Sequence, residues 1–151
     1  MNRPQVYLDT TVPSAYLDNR APERQRLTQE FWHDRLPAYE GVISGLVMAE
    51  IHGTPDEARR NELERLVKDC KVVEFTEEAD RLAQEYVTRG IFPEKYIADA
   101  NHVAAAVVHG VGYLASWNFK HLVKVKTRRE VNLVNSLSGY GVIEIVAPPE
   151  L

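Results

Sequence analysis

Five short apolar segments alternate with longer segments of helical character, and this alternation is the strongest constraint on the fold. The short segments are predicted strands over residues 6–8, 41–44, 71–75, 113–116 and 142–147. Strands that alternate with helices build mostly parallel sheets covered on both faces. The sequence therefore predicts an α/β fold of three layers, α/β/α, around a mostly parallel five-stranded sheet.

The segments between the strands carry apolar residues at three- and four-residue spacing, which predicts helices. These helices are expected over residues 28–36, 55–70, 76–90 and 96–109, with a short buried helix at LVMAEI, residues 46–51. Thr76 is the expected N-cap of its helix and Gly90 its end. The sequence TRRE at 127–130 has the form of a capping box and predicts that the last helix opens there. A chain of 151 residues suits one domain, 1–151.

Composition indicates a cytoplasmic protein without a membrane segment. No apolar run approaches the roughly 20 residues that span a bilayer, and the first residues lack the pattern of a signal peptide. The single cysteine, Cys70, has no internal disulfide partner. The five histidines lack the spacing of zinc ligands. Among them His102 is expected to be a satisfied core residue, with contact to a site as the alternative.

Lone polar residues with side-chain oxygens follow several of the predicted strands. Asp9 ends the apolar run in VYLDTT, Glu50 follows the second strand, and Ser116 and Asn118 follow the fourth. Asp99 lies in the first turns of a helix otherwise rich in alanine and valine. Since ligands of such sheets bind beyond the carboxyl ends of the strands, these residues are expected at one edge.

Carboxylates that converge at one edge repel each other unless a cation offsets their charge. Mg²⁺ prefers oxygen ligands and accepts a few carboxylates with several waters. The sequence thus predicts a site for Mg²⁺ (or Mn²⁺) formed by Asp9, Glu50, Asp99 and Asn118. Taken singly, each has an ordinary alternative role, as a cap, a paired acid, a helix-dipole partner or a turn residue.

The net charge of −4 hides an uneven distribution. Five of the 18 basic residues lie within ten positions that hold no acid. The rest of the sequence has 13 basic and 22 acidic residues, a net charge of −9. These five residues are Lys120, Lys124, Lys126, Arg128 and Arg129. Such a cluster is either a solvated surface or a binding site for nucleic acid phosphates. Trp117, just before it, is expected to be core, with stacking on a base as the alternative.

The chain resembles the PIN-domain family, and specifically the VapC-like toxins of prokaryotic toxin–antitoxin pairs. Four stretches carry the resemblance in order: VYLDTTVPSAYL, SGLVMAEI, IADANHVAAAV and LASWNFKHL. It implies a sheet of order 3-2-1-4-5 and a metal-dependent ribonuclease that hydrolyses RNA phosphodiester bonds. It further implies an antitoxin partner and a homodimer.

The resemblance assigns the three acids of the family to Asp9, Glu50 and Asp99, and its small hydroxyl to Ser116. The family's fourth acid is often aspartate, whereas this chain has Asn118, which lowers the charge of the site by one. Asp9 and Asp99 are expected to hold the principal ion, with Glu50 completing the site. Thr10 and Ser116 would support these ligands, and the basic cluster would bind RNA phosphates.

Two other functions compete with this interpretation. A non-catalytic PIN-fold module that binds RNA or protein would keep the fold, and Asn118 mildly favours it. An aspartate-nucleophile phosphatase would also begin with a strand that ends in aspartate. It usually needs a second acid two residues later, where this chain has Thr11.

Overall fold

A five-stranded sheet forms the middle layer of the computed structural model, which describes residues 3–151. Its strands are β1 (Gln5–Leu8), β2 (Glu40–Ser44), β3 (Lys71–Val73), β4 (Tyr113–Ala115) and β5 (Glu144–Val146). They lie in the order β3-β2-β1-β4-β5, and every neighbouring pair is parallel. The predicted fold class and strand order are confirmed.

Helices cover both faces of this sheet. Within the described residues they are α1 (Thr11–Leu17), α2 (Pro22–Glu30), α3 (Gly45–His52), α4 (Glu57–Val67), α5 (Glu77–Thr88), α6 (Ile97–Val108) and α7 (Val125–Leu137). On the central strand β1, Val6, Tyr7 and Leu8 are completely buried. Because successive strand side chains point to opposite faces, their burial requires cover on both sides. None of the helices over residues 3–151 is long and apolar enough to cross a membrane.

Local capping chemistry sets both ends of α5, as predicted. The Thr76 hydroxyl accepts a hydrogen bond from the backbone N–H of Ala79 at 3.2 Å. At the other end Gly90 has a φ of +80°, which glycine adopts without strain. Its N–H donates to the carbonyl of Val87, and that of Ile91 donates to the carbonyl of Tyr86. This pair of bonds satisfies two carbonyls of the last turn.

Two predicted helices have different bounds, and a third differs in burial. Around residues 28–36 the α-helix begins earlier, at Pro22, and continues as a π-helical turn (Phe31–Arg35). The predicted helix 55–70 is the shorter α4, because the Asp56 side chain accepts the N–H of Ala58 and caps it there. In α3 only Val47 and Ile51 are buried, so the expectation of a wholly buried helix was wrong.

The predicted capping box TRRE is wrong. The N-cap of α7 is Lys124, three residues before Thr127, and no side chain caps this N-terminus. The Thr127 hydroxyl instead donates to the backbone carbonyl of His121 at 2.9 Å. Thr127 is therefore not the N-cap, because it already lies inside the first turn of the helix.

Candidate active site

Asp9 lies at the carboxyl end of the central strand and is buried, with 3% of its surface exposed. The backbone N–H of Thr11 donates to its Oδ1 at 3.1 Å, and the Thr11 hydroxyl donates to the same oxygen. Ser116 Oγ donates to Oδ2 at 2.6 Å. The short turn from β1 into α1 and the end of β4 therefore hold this carboxylate from two sides.

Burial raises the pKa of Asp9 above its ordinary value, although the hydrogen bonds from Ser116 and Thr11 oppose this effect. The described residues include no lysine or arginine in a salt bridge with it. A buried carboxylate without a paired cation is costly, so its charge favours a cation from solution.

Asp99 lies beside Asn118 at the same edge of the sheet. It occupies the first turn of α6, while Asn118 follows β4. The Asn118 amide donates from Nδ2 to Asp99 Oδ1 at 3.3 Å, and its Oδ1 accepts the backbone N–H of His121 at 2.9 Å. Burial raises the pKa of Asp99, partly opposed by the nearby imidazoles of His121 and His102.

Glu50, on α3, differs from the other two acids because a histidine contacts it. His102 Nε2 lies 2.8 Å from Glu50 Oε1. Partial burial would raise the pKa of Glu50, but the hydrogen bond from His102 and the nearby hydroxyl of Thr10 outweigh it and lower the pKa. His102 is 5% exposed, so it is both the satisfied core residue that was expected and a neighbour of the site.

Thr11 holds Asp9, although the sequence suggests a supporting role only for Thr10. The Thr11 hydroxyl also accepts the backbone N–H of Trp117 at 2.9 Å. The buried hydroxyl oxygen of Thr10 faces Glu50 but makes no hydrogen bond of normal geometry among residues 3–151. A buried hydroxyl without a partner next to carboxylates is a free oxygen donor of the kind that a hard cation uses.

The donor set fits a divalent cation in its chemistry, since it offers only carboxylate, amide and hydroxyl oxygens. Across residues 3–151, however, no three side chains of His, Cys, Asp or Glu stand close enough to hold one ion together. Asp9, Glu50, Asp99 and Asn118 share one edge without closing into such a cluster. Their role as metal ligands stays a prediction, with water completing the coordination as Mg²⁺ usually requires.

The basic cluster lies beside this edge, on the loop after Asn118 and the first turns of α7. Lys120, Lys124, Lys126 and Arg129 are exposed. None of them forms a salt bridge with an acid of the described chain. Arg128 differs, because its guanidinium donates to the carbonyl of Ile145 at 3.2 Å.

Trp117 is a core residue, which confirms the first of its two expected roles. It is 8% exposed, and its indole N–H donates to the hydroxyl of buried Thr28 at 2.9 Å. Its neighbour Phe119 is half exposed. The loop that carries Ser116 and Asn118 is thereby anchored on α2.

Sequence reasoning missed Tyr7, Ser44 and Thr11, whose hydroxyls contact site residues or their partners. Tyr7 and Ser44 are completely buried, and their oxygens lie 2.7 Å apart. Tyr7 Oη is also 2.7 Å from His102 Nδ1. The only sequence signal was a hydroxyl inside each of two apolar strands, which buried strands rarely contain without a partner.

Known proteins share features of this sequence and of this fold. A family model described as PIN domain matches residues 6–118. No curated protein sequence matches the chain significantly. Among solved structures, VapBC2 from Rickettsia felis, bound to a DNA fragment from its promoter, has a TM-score of 0.56 at 12% identity, covering 93% of this chain and 96% of that chain. VapC20 from Mycobacterium tuberculosis, a toxin that cleaves the sarcin-ricin loop, has a TM-score of 0.56 at 16% identity, covering 91% and 98%.

Proposed function

Because the chain belongs to the PIN-domain family, we propose that it is an Mg²⁺- or Mn²⁺-dependent endoribonuclease and the toxin of a toxin–antitoxin pair. One observation carries the proposal. Asp9 and Asp99 lie at the carboxyl edge of the sheet, and burial raises both their pKa values. Two acids at a single edge without a lysine or arginine in a salt bridge among the described residues favour a divalent cation.

In this proposal each residue of the site has a separate task. Asp9 and Asp99 hold the cation, directly or through water. Glu50, whose lowered pKa keeps it ionised, orients the attacking water and accepts its proton at the carboxylate oxygen that His102 leaves free. A bound divalent ion supplies an acidified water and neutralises charge on the phosphate.

Asn118 acts on Asp99 rather than as a principal ligand. Its Nδ2 donates to Asp99, and its carbonyl oxygen already accepts the N–H of His121. Only the second lone pair of that oxygen is free for a cation. Ser116 fixes Asp9 and accepts the backbone N–H of Asn118 at 2.9 Å, so one hydroxyl links two site residues.

The exposed lysines and Arg129 of the basic cluster are suited to RNA phosphates. Cations at the N-terminal end of a helix oppose its dipole, and a bound phosphate offsets that cost. Lys124 is the N-cap of α7, and Lys126 lies in its first turn. Their position after Asn118 would bring the RNA backbone to the carboxylates.

The remaining proposals concern partners. The fold shared with VapBC2 and VapC20 supports an antitoxin and a second copy of this chain as partners. Light scattering on the purified chain would measure its mass, and a value near 17.2 kDa would contradict the homodimer.

Cleavage of structured RNA with and without metal tests the enzymatic proposal. The wild-type protein should cut in Mn²⁺ and not in EDTA, and Asp99→Asn should not cut in either. Asp80→Asn is the matched control, because Asp80 is an exposed acid of α5. It undergoes the same chemical change and should cut like the wild type.

Equal cutting in every lane would indicate a contaminating nuclease, and the experiment would then contradict the proposed metal-dependent activity of this site. Binding of RNA without any cleavage in Mn²⁺ would favour the non-catalytic module instead. Calorimetric titration with Mn²⁺ separates these outcomes, because the enzyme requires binding that Asp9→Asn abolishes.

A further inference from the structure

A series of hydrogen bonds, called here the hydrogen-bond chain, joins four buried or half-buried side chains from the end of β2 to Glu50. The backbone N–H of Leu46 donates to Ser44 Oγ at 3.2 Å, which caps α3, the helix that carries Glu50. Ser44 Oγ contacts Tyr7 Oη, Tyr7 Oη contacts His102 Nδ1, and His102 Nε2 contacts Glu50 Oε1. Each of the last three distances lies between 2.7 and 2.8 Å.

The available hydrogen-bond donors and acceptors determine which group donates and which accepts at each step of this hydrogen-bond chain. An ionised Glu50 can only accept, so His102 Nε2 must carry a hydrogen. If Nδ1 is the acceptor of the neutral ring, Tyr7 donates to it and Ser44 donates to Tyr7. Every hydroxyl hydrogen then has an acceptor.

The opposite direction leaves a group without a partner. A hydrogen on His102 Nδ1 would make Tyr7 donate to Ser44, which already accepts from Leu46. The Ser44 hydroxyl hydrogen would then have no acceptor among its contacts, although Ser44 is completely buried. An unsatisfied buried hydroxyl is costly, so the first direction is favoured.

We propose that His102 is a positioning residue for Glu50, held by Tyr7 and Ser44 so that its Nε2–H donates to Glu50 Oε1 and its Nδ1 accepts from Tyr7. The inference rests on the proposed function of Glu50. The buried end of the chain is rigid, because Tyr7 belongs to the central strand and Ser44 ends β2. The His102 N–H fixes Glu50 Oε1, while the Glu50 side chain, 45% exposed, keeps its other oxygen open to the site.

Nitrogen-15 NMR of histidine-labelled protein in EDTA tests the direction without any activity. The ring of His102, identified by loss of its signals in His102→Gln, should show a protonated Nε2 and an unprotonated, hydrogen-bonded Nδ1. Tyr7→Phe should shift the Nδ1 signal. A hydrogen found on Nδ1 would overturn the proposal.

Kinetics and Mn²⁺ binding test the positioning. Partners that orient a metal-site ligand typically change affinity or activity by about 10- to 100-fold. Tyr7→Phe should lower kcat or Mn²⁺ affinity by about 10-fold with KM for RNA unchanged. Tyr86→Phe is the matched control, since this equally buried phenol donates to Asn135 Oδ1 away from the site.

Two variants at position 102 separate positioning from packing. His102→Leu fills the space without a donor and should lose about 10- to 100-fold in kcat or Mn²⁺ affinity. His102→Gln can place an amide N–H near the position of Nε2 and should recover part of that loss. Thermal melts would show that both variants are folded.

The outcomes distinguish this inference from the proposed function. If the wild type binds Mn²⁺ and cuts RNA, but Tyr7→Phe and His102→Leu match it in both, the positioning role is refuted. If the wild type neither binds Mn²⁺ nor cuts RNA, the proposed function fails, while the NMR result still decides the direction of the chain.

Discussion

Removal of the Ser116 hydroxyl should destabilise the protein by an amount that grows with pH. Ser116 is completely buried and donates to Asp9 Oδ2 at 2.6 Å. A hydrogen bond to a charged group contributes about 1.5–3 kcal/mol to the free energy of unfolding. Ser116→Ala also removes an acceptor from the backbone N–H of Asn118, but Asn118 is partly exposed and water can replace it.

The pH dependence follows from Asp9. Burial raises its folded-state pKa above the ordinary aspartate value of about 3.8. Stability that depends on this group is therefore fully present below about pH 3.8 and is lost as the pH rises through the folded-state pKa. Because the Ser116 bond lowers that pKa, Ser116→Ala raises it further and deepens the loss at neutral pH. Near pH 4 Asp9 is more protonated, and the difference between variant and wild type should shrink.

Urea unfolding in EDTA, followed by circular dichroism, measures this difference at about pH 8 and about pH 4.5. With a slope of about 2 kcal/mol per molar urea, the midpoint at the higher pH should fall by roughly 1 M. Thr28→Val is the control, since it removes a buried acceptor from the neutral indole N–H of Trp117. Its cost of about 1–3 kcal/mol should not vary over this pH range.

Two outcomes would refute the reasoning about Asp9. A Ser116→Ala penalty that is equal at both pH values would mean that the bond does not serve an ionised carboxylate. A penalty below about 0.5 kcal/mol would mean that the hydroxyl and Asp9 do not make a buried, charge-assisted bond.

Three further predictions concern the rest of the chain. Lys124→Ala with Arg129→Ala should weaken RNA binding and reduce the slope of log K against log salt by about 1.4 for single-stranded RNA, and an unchanged slope in a salt titration would contradict phosphate contact. Burial raises the pKa of the Cys70 thiol to about 11. Iodoacetamide at pH 8 should therefore modify Cys70 about 100-fold more slowly in the folded protein than in the urea-unfolded protein. Equal rates would exclude this rise in pKa. Asn118→Asp should lower the melting temperature in EDTA, because it replaces a hydrogen-bond donor to Asp99 by a like charge. Addition of Mn²⁺ should restore the melting temperature. A higher melting temperature in EDTA would show that the side chains at positions 118 and 99 do not face each other.

The architecture was predictable because the periodic signals are local and repeated. Each strand is a short apolar run, and the ends of α5 follow from Thr76 and Gly90, whose capping contacts lie within a few residues. The start of α7 was not predictable. Thr127 matches the capping pattern, but the helix begins before it, at Val125, so Thr127 lies inside the first turn, where its hydroxyl donates to the His121 carbonyl.

The candidate site was predictable at its edge but not in its interior. Asp9 stands out because a charge ends an apolar run, and parallel strands bring such ends together. Tyr7 gives no comparable signal, since a tyrosine in a central strand is typical of a core. Its hydroxyl contacts Ser44 and His102, which lie 37 and 95 positions further along the chain. Contacts over such separations depend on strand order and register, which spacing in the sequence does not specify.

The hydrogen-bond partners divide the three acids into two kinds, and Asn118 is consistent with that division. His102 lowers the pKa of Glu50, whereas burial raises those of Asp9 and Asp99. The edge therefore holds one carboxylate whose charged form the protein favours and two whose charged form burial disfavours. A fourth carboxylate at position 118 would stand about as close to Asp99 as the amide nitrogen does now, 3.3 Å, and would raise that pKa again. The amide instead donates a hydrogen bond to Asp99, so the charge at this edge is better matched to one divalent ion than to two.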